Sequence, residues 1–358
     1  MRNQVADRDS LVTPVAGITH LDLGCEYRGG QRQVIYLAVE QLKAGMQVCV
    51  AAPEGSPILD AASEHGVSTV SLPGTRDYHP RNLAALLRQL SSSSNILHTH
   101  DARAASLGAL ARLFRPGLTL VHTRRVSYAL GQGWSRWKYR LGSLVVCVSR
   151  EVEAVVRKAG VFRTTVIHSA IVRDRYSPRK PGNGGRVGII GALSPQKGHG
   201  QFFHALSLLT HVPEVWVIGD GALESDLKRQ AEKLGLSQRV VWKGRVESSL
   251  VLPCLDILVV PSAHGEGSSG VVKEGWAAGV PVICSDLPAN LELVRDGVNG
   301  LVFTNGDPSF LARQIDRLRS ETGLAESLVS AGLSMVTEYD VSEMHAAYLA
   351  AYALSSRF

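Results

Sequence analysis

The 358-residue chain predicts an α/β protein made of two doubly wound, Rossmann-like parallel-sheet domains. Three observations carry this expectation. Short apolar runs alternate with helical patterns along the whole length. A stretch rich in Pro, Gly and charge, Tyr176 to Gly185, divides the alternation in two. Glycine-containing turns follow strand-like runs in both halves, where open parallel sheets bind ligands. The hydrophobic fraction of 45% suits two buried cores, and the charged fraction of 20% argues against global disorder.

In chain order, the first half predicts strands at 18–21, 47–51, 68–72, 96–98, 119–122, 144–148 and 166–168, each a short apolar run. Helical patterns fill the gaps at 31–43, 56–65, 81–90, 102–114 and 150–159. The second half predicts strands at 186–190, 215–218, 240–242, 257–260, 280–284 and 301–303. Its helices are expected at 200–209, 223–234, 269–278, 290–295, 309–320, 324–335 and 342–354. The domain reading is a flexible start over 1–13, a first domain over 14–176, a linker over 177–185 and a second domain over 186–339. Two such domains are expected to face one another across a central cleft.

The five cysteines are scattered and form no Cys-x-x-Cys, which argues against a disulfide framework or zinc knuckle and for a reducing compartment. No apolar run approaches a membrane span, and the polar Met1 to Ser10 has no signal-peptide core. A cytoplasmic protein is expected. Its charge is uneven: residues 1–180 hold 24 Lys+Arg against 13 Asp+Glu, and residues 181–358 hold 14 against 19. The basic excess peaks at 101–140, where eight Lys and Arg face Asp101 alone and Trp134, Trp137 and Tyr139 interleave. This pattern fits either an anionic membrane surface or a solvated charged face. Nucleic acid is disfavoured, because no recognition motif accompanies the charge.

The densest motif is Glu266-Gly-Ser-Ser-Gly-Val-Val-Lys-Glu274, followed by Gly279-Val-Pro-Val-Ile283. The carboxylates sit eight positions apart, a little over two helical turns, so both can point to one side. Gly267, Ser268, Ser269 and Gly270 would form a helix N-terminus whose free N–H groups and dipole attract an anion. Lys197 stands before another helix start, after Gly191, where it suits a phosphate as a point charge on a flexible stem. Gly29 and Gly30 precede the first helix, and Gly219-Asp220-Gly221 makes a further turn open to backbone approach.

These residues resemble, in order, the motifs of family 4 glycosyltransferases, retaining nucleotide-sugar enzymes of the GT-B fold, and especially those that build lipopolysaccharide core and other cell-surface glycans. The matching segments are Gly191–Gly198, Gly219–Gly221, Val240–Gly244, Asp256–Ser262, Glu266–Glu274, Gly279–Ile283, Glu292–Gly297 and Asn299–Val302. In the first half, Gly29-Gly30-Gln31-Arg32 and His98-Thr-His100 match the glycine loop and the segment after the fourth strand. Tyr339–Met344 and the helix after it resemble the piece that returns to the N-terminal domain, so residues 340–358 would complete it.

The resemblance implies an acceptor-binding first domain and a nucleotide-sugar-binding second domain. Glu266 would bind donor-sugar hydroxyls and Glu274 the ribose hydroxyls. Lys197, the amides of about residues 268–271 and the Gly29–Gly30 loop would hold the diphosphate; Gly219 and Gly244 complete the donor side, with backbone near Lys243–Arg245 at the base. Catalysis would fall to Glu266, Lys197 and Arg125, and the acceptor side to His100, Arg124 and Arg125. No metal and no cofactor is expected. The reaction implied is sugar transfer from a nucleotide-diphosphate sugar to a glycolipid or oligosaccharide acceptor at the inner face of the cytoplasmic membrane. A nucleotide-sugar epimerase or a non-catalytic nucleotide-sugar or lipid-binding protein are the alternatives.

Three positions depart from the family pattern. Ala192 stands where many relatives carry arginine, leaving Arg28 or Arg32 as substitutes. Arg125 stands where many carry histidine, with His122 three residues earlier. Asp286-Leu-Pro-Ala-Asn-Leu-Glu292 lacks the usual Gly-Gly turn, which gives Glu292 a capping or pairing role.

Overall fold

A computed structural model describes residues 17–74, 79–179 and 185–355. The expected flexible start 1–13, residues 75–78 and the centre of the linker 177–185 lie outside the described residues.

The first half runs β1 (Gly17–Leu21), α1 (Gly29–Lys43), β2 (Val48–Pro53), α2 (Pro57–Glu64), β3 (Ser68–Leu72), α3 (Pro80–Ser93), β4 (Ser94–Thr99), α4 (Ala102–Phe114), β5 (Thr119–Arg124), α5 (Trp134–Arg140), β6 (Leu144–Cys147), α6 (Arg150–Lys158) and β7 (Thr164–Val166). The strands form a seven-stranded sheet in the order β3-β2-β1-β4-β5-β6-β7. The second half runs β8 (Val187–Ile190), α7 (His199–Ser207), β9 (Val215–Ile218), α8 (Glu224–Lys233), β10 (Val240–Gly244), α9 (Ser248–Val251), β11 (Ile257–Val260), α10 (Gly270–Ala277), β12 (Val282–Ser285), α11 (Pro288–Leu291), β13 (Leu301–Phe303), α12 (Pro308–Ser320), α13 (Leu324–Met335) and α14 (Val341–Ser355). Its six strands are ordered β10-β9-β8-β11-β12-β13, and every neighbouring pair is parallel. Both orders double back from a central first strand, the doubly wound pattern that places ligands beyond strand C-termini.

Two compact units emerge, the described residues of Met1–Thr123, Gly131–Val145 and Leu349–Phe358, and those of Arg124–Leu130 and Val146–Tyr348. In the first, Val34, Ile35 and Ala38 of α1 pack with Val48, Val50 and Ala52 of β2. Leu86 and Leu90 of α3 pack with Leu97 and Leu120 on the other side of the sheet. In the second, Phe202, Phe203 and Leu206 of α7 pack with Val187, Val217 and Val259, while Val272 and Trp276 of α10 pack with Leu258, Val282 and Cys284. Polar side-chain caps set the starts of α4, α6 and α12. Asp101 accepts from the N–H groups of Arg103 (2.7 Å) and Ala104 (3.0 Å) at the head of α4. The Asp101 carboxylate also accepts from the N–H of Leu23 at 2.6 Å, tying the loop after β1 to α4.

The elements depart from expectation in a few places. β7 begins two residues before the predicted start, and α11 is a single turn from Pro288, where proline suits the first helical position. Residues 134–140, read from sequence as a basic-aromatic surface, form α5. This helix is too short for a readable apolar period and is held by tertiary bonds. Trp134 Nε1 donates to Ser106 Oγ at 3.3 Å, and the buried Lys138 ammonium donates to Ala102 O at 2.5 Å and Ser106 Oγ at 3.0 Å. Part of the basic charge at 101–140 is therefore spent inside: Lys138 and Arg124 are buried, and Arg103 and Arg112 donate to the carbonyls of Leu23 and Leu118. Exposed within this stretch are Leu113 (50%), Phe114 (68%) and Trp137 (40%), with Arg140. No helix among the described residues is long and apolar enough to cross a membrane.

Candidate functional site

In the second unit, β11 ends at Val260, and the chain turns through Pro261–Ser269 into α10. Glu266 lies in that turn, with its side chain 8% exposed. It accepts from Lys197 Nζ at 2.5 Å and from Ser262 Oγ at 2.6 Å. Burial alone would raise its carboxyl; the charge and hydrogen bond of Lys197, with the Ser262 hydroxyl, outweigh burial and hold it below the ordinary carboxylate range. An ionised acceptor is thus kept ready in a dry setting.

Lys197 reaches this point because of Gly198. That residue has φ +69, and an added Cβ would lie 1.7 Å from the carbonyl oxygen of Pro261. The close approach of the loop after β8 to the end of β11 therefore needs glycine at this position. Glu274, five residues into α10, is 3% exposed. Ser269 occupies the N-cap of α10 in extended conformation without a side-chain cap. The N–H groups of the first turn are then available to an anion. At Gly267 an added Cβ would meet the carbonyl oxygen of Arg125 at 2.1 Å, so Arg125 offers its backbone to this loop. Gly219 donates its N–H to Gly244 O at 2.8 Å, fixing the two strand-end turns together. The Lys243 ammonium stacks 3.9 Å from the Trp216 ring centroid, which leaves the Gly244 turn as bare backbone.

The site therefore assembles Lys197, Glu266, the Gly267–Gly270 loop and Glu274 within one unit. Ala192 is exposed and adds no charge. Gly29 opens α1 in the first unit with nothing within 4 Å of its Cβ position, and Gly30 follows it in the same turn. Arg28 is exposed and paired with Glu26. Arg124 is buried, its guanidinium donating to Tyr128 O. Glu292 caps α6, accepting from the N–H groups of Arg150 (2.9 Å) and Glu151 (3.1 Å). This is the structural role its sequence context implied.

The histidines of the first unit are inward-facing. His122 Nδ1 meets Thr99 Oγ1 at 2.7 Å and its Nε2 meets Lys138 O at 3.2 Å; burial, against that bond to the Lys138 carbonyl and with the Lys138 charge, lowers its imidazolium to about 3. His100 is 4% exposed, and its Nε2 lies 2.9 Å from His20 Nδ1. His20 Nε2 meets Gln41 Oε1 at 2.7 Å, and burial lowers its imidazolium to about 4 against that bond. His98 bridges Tyr352 OH (2.8 Å) and Thr123 Oγ1 (2.7 Å). Ring nitrogens of His20, His98 and His100 lie within 4.8 Å of one another, the geometry of a metal-capable cluster among the described residues. Their nitrogens are already engaged by these neighbours, so the cluster reads as a satisfied polar core that also anchors the last turns of α14 through Tyr352. Sequence reasoning placed His98 and His100 on a motif but could not show His20 and Gln41 opposite them, since strand partners carry no local signal.

Comparisons with known proteins bear on both halves. Residues 27–175 match Glycosyltransferase Family 4, and residues 184–321 match Glycosyl transferases group 1. The lipopolysaccharide core biosynthesis glycosyltransferase LpsE of Rhizobium meliloti is 28% identical over 202 residues, which cover 56% of this chain and 57% of that protein. The chain thus spans little more than half the length of that curated relative. The phosphatidyl-myo-inositol mannosyltransferase of Mycobacterium leprae is 27% identical over 340 residues, covering 88% of this chain and 90% of the relative. Among solved structures, Anabaena HepE in complex with UDP superposes with a TM-score of 0.84 at 20% identity, covering 94% of this chain and 99% of HepE. The two parallel-sheet, Rossmann-like domains are the GT-B fold. By its two matched segments and this fold, the chain belongs to glycosyltransferase family 4.

Proposed function

We propose that the protein moves a sugar from a nucleotide-diphosphate sugar to a hydroxyl of a glycolipid or cell-surface glycan precursor, with retention and without a metal. Lipopolysaccharide core is the favoured acceptor. The observation that carries this is the Lys197–Glu266 pair at the entry to α10, with Glu274 buried in the same helix. Support for the donor class comes from HepE, which holds UDP, and support for the acceptor from relatives named for lipopolysaccharide core biosynthesis.

Glu266 accepts from donor-sugar hydroxyls and Glu274 from the ribose, tasks for ionised groups with two oxygens each. Lys197 and the free amides of α10 stabilise the charge that develops on the diphosphate as the glycosidic C–O bond breaks. The acceptor oxygen bonds to the anomeric carbon on the face the diphosphate leaves, and its proton passes to a diphosphate oxygen. Glu266 and Glu274 are binding groups in this scheme, so the paired-carboxylate chemistry of glycosidases does not apply. Arg125 is the acceptor-side candidate beside the Gly267 loop, whereas His100 and Arg124 are buried on partners within the fold. Leu113, Phe114, Trp137 and Arg140 supply the apolar and basic mix that would favour an anionic membrane face.

The test is nucleotide release from a panel of nucleotide sugars, with and without a lipopolysaccharide-core acceptor. Acceptor-dependent release that is lost in Glu266→Ala is expected; full turnover by that variant would overturn the site assignment. The missing cation at Ala192 favours one other reading, a nucleotide-sugar-binding protein, which tight binding without turnover across the panel would establish.

A further inference from the structure

Lys273 is 0% exposed, on α10, one residue before Glu274. An ammonium is costly to bury without partners. Here each of its three N–H bonds has one. Nζ donates to Ser169 O at 2.6 Å and to Ser268 Oγ at 2.7 Å, and it lies 4.8 Å from the ring centroid of Tyr339. The chemistry of the Ser268 contact is directional. A charged lysine only donates, so the Ser268 oxygen accepts and its own hydrogen is left to donate elsewhere. Ser268 immediately precedes the N-cap of α10, among the amides already assigned to the diphosphate.

We propose that Lys273 is a positioning residue for the donor diphosphate, orienting the Ser268 hydroxyl as a hydrogen-bond donor and placing a positive charge behind the first turn of α10. This rests on the nucleotide-sugar reading of the same site, and it gives the start of α10 a buried charge, whereas Ala192, in the loop after β8, supplies none. The apolar pattern of the helix hides the role, because position 273 lies among residues that face the core.

The charged and titratable neighbours of Lys273 are Glu274 on its own helix, Glu292 after α11, His168 after β7 and Tyr339 before α14. Burial lowers the ammonium to about 7, against the pull of Glu274 and Glu292. The charge is complete below that pH and is lost as pH rises through it. Diphosphate affinity should therefore fall from pH 7 to pH 9. The terminal phosphate of a nucleoside diphosphate, titrating near about 6, is already ionised over that range.

Calorimetric titration of the full chain with UDP, GDP, ADP and CDP at pH 7, 8 and 9 tests this. The wild type is expected to bind one of them and to lose about tenfold in affinity by pH 9, the scale of a charge-assisted hydrogen bond. Ser268→Ala, which leaves the lysine in place, should bind about tenfold more weakly at pH 7. Lys273→Met should bind weakly with no alkaline decline. If no diphosphate binds the wild type, the nucleotide-sugar reading itself fails, and this proposal with it. If the wild type binds and Ser268→Ala matches it at every pH, only the positioning role is overturned. That comparison decides the matter even if Lys273→Met does not fold.

Discussion

Replacing Lys197 by methionine removes the cation that keeps Glu266 ionised in a buried site. Breaking a buried ion pair from one side costs about 3–5 kcal/mol, because the remaining charge loses its compensation. The Lys197 side chain is 26% exposed against 8% for Glu266, so solvent screens the pair in part and the low end, about 3 kcal/mol at pH 7, is expected. The pH dependence is the sharper signature. In the wild type the Glu266 carboxyl sits below its ordinary value, so the unfolded state binds more protons and the pair's stabilisation is lost as pH falls through the carboxylate range. Without Lys197, burial raises the carboxyl instead, and the folded variant relieves its penalty by taking up a proton. The deficit of Lys197→Met relative to wild type, read from urea midpoints, should therefore shrink steadily from pH 7 to pH 4. A deficit that stays constant over that range, or no deficit at all, would refute the coupling of Lys197 to Glu266. Turnover should fall by about 10²–10³ in the same variant, the scale of removing one donor that stabilises developing charge.

Other outcomes follow from the same geometry. Glu274→Gln keeps the shape but removes the charged acceptor, and should weaken nucleoside diphosphate binding about tenfold by calorimetry while changing the melting temperature little. Gly198→Ala should unfold readily or express poorly, because its Cβ would collide with the Pro261 carbonyl; a melting temperature equal to wild type would show that the loop can move freely. His20 and His122 are held neutral by burial at about 4 and about 3, so between their ordinary value and those values the unfolded state binds more protons. Stability should fall by about 2 kcal/mol for each as pH drops from 7 to 5, measured by urea unfolding, and His122→Gln should flatten that decline.

The order of strands and helices was legible because a doubly wound sheet needs buried β-branched strands and one-faced helices, and both leave periodic marks. Lys197, the Glu266–Glu274 spacing and the capping role of Glu292 were legible too, since loops at strand ends carry their chemistry in short contiguous motifs. α5 was not, for its seven residues are held by Ser106 and Ala102 from α4 rather than by a pattern of their own. The basic run over 101–140 misleads for the same reason: Lys138 and Arg124 point inward, and only tertiary packing shows which charges remain outside.

By itself the sequence determined two parallel α/β halves, the family and the Glu266–Glu274 motif at a strand end, because each depends on neighbours within one turn or one loop. Tertiary structure alone decided that Glu266 is held ionised by Lys197, 69 residues away in sequence. It likewise joined His20, Gln41 and Tyr352 around His98 and His100, and gave Lys273 its partners Ser169 and Tyr339. The physical reason is common to all three. A charge or imidazole takes its properties from burial and from partners across the fold, and neither is written in the residues beside it.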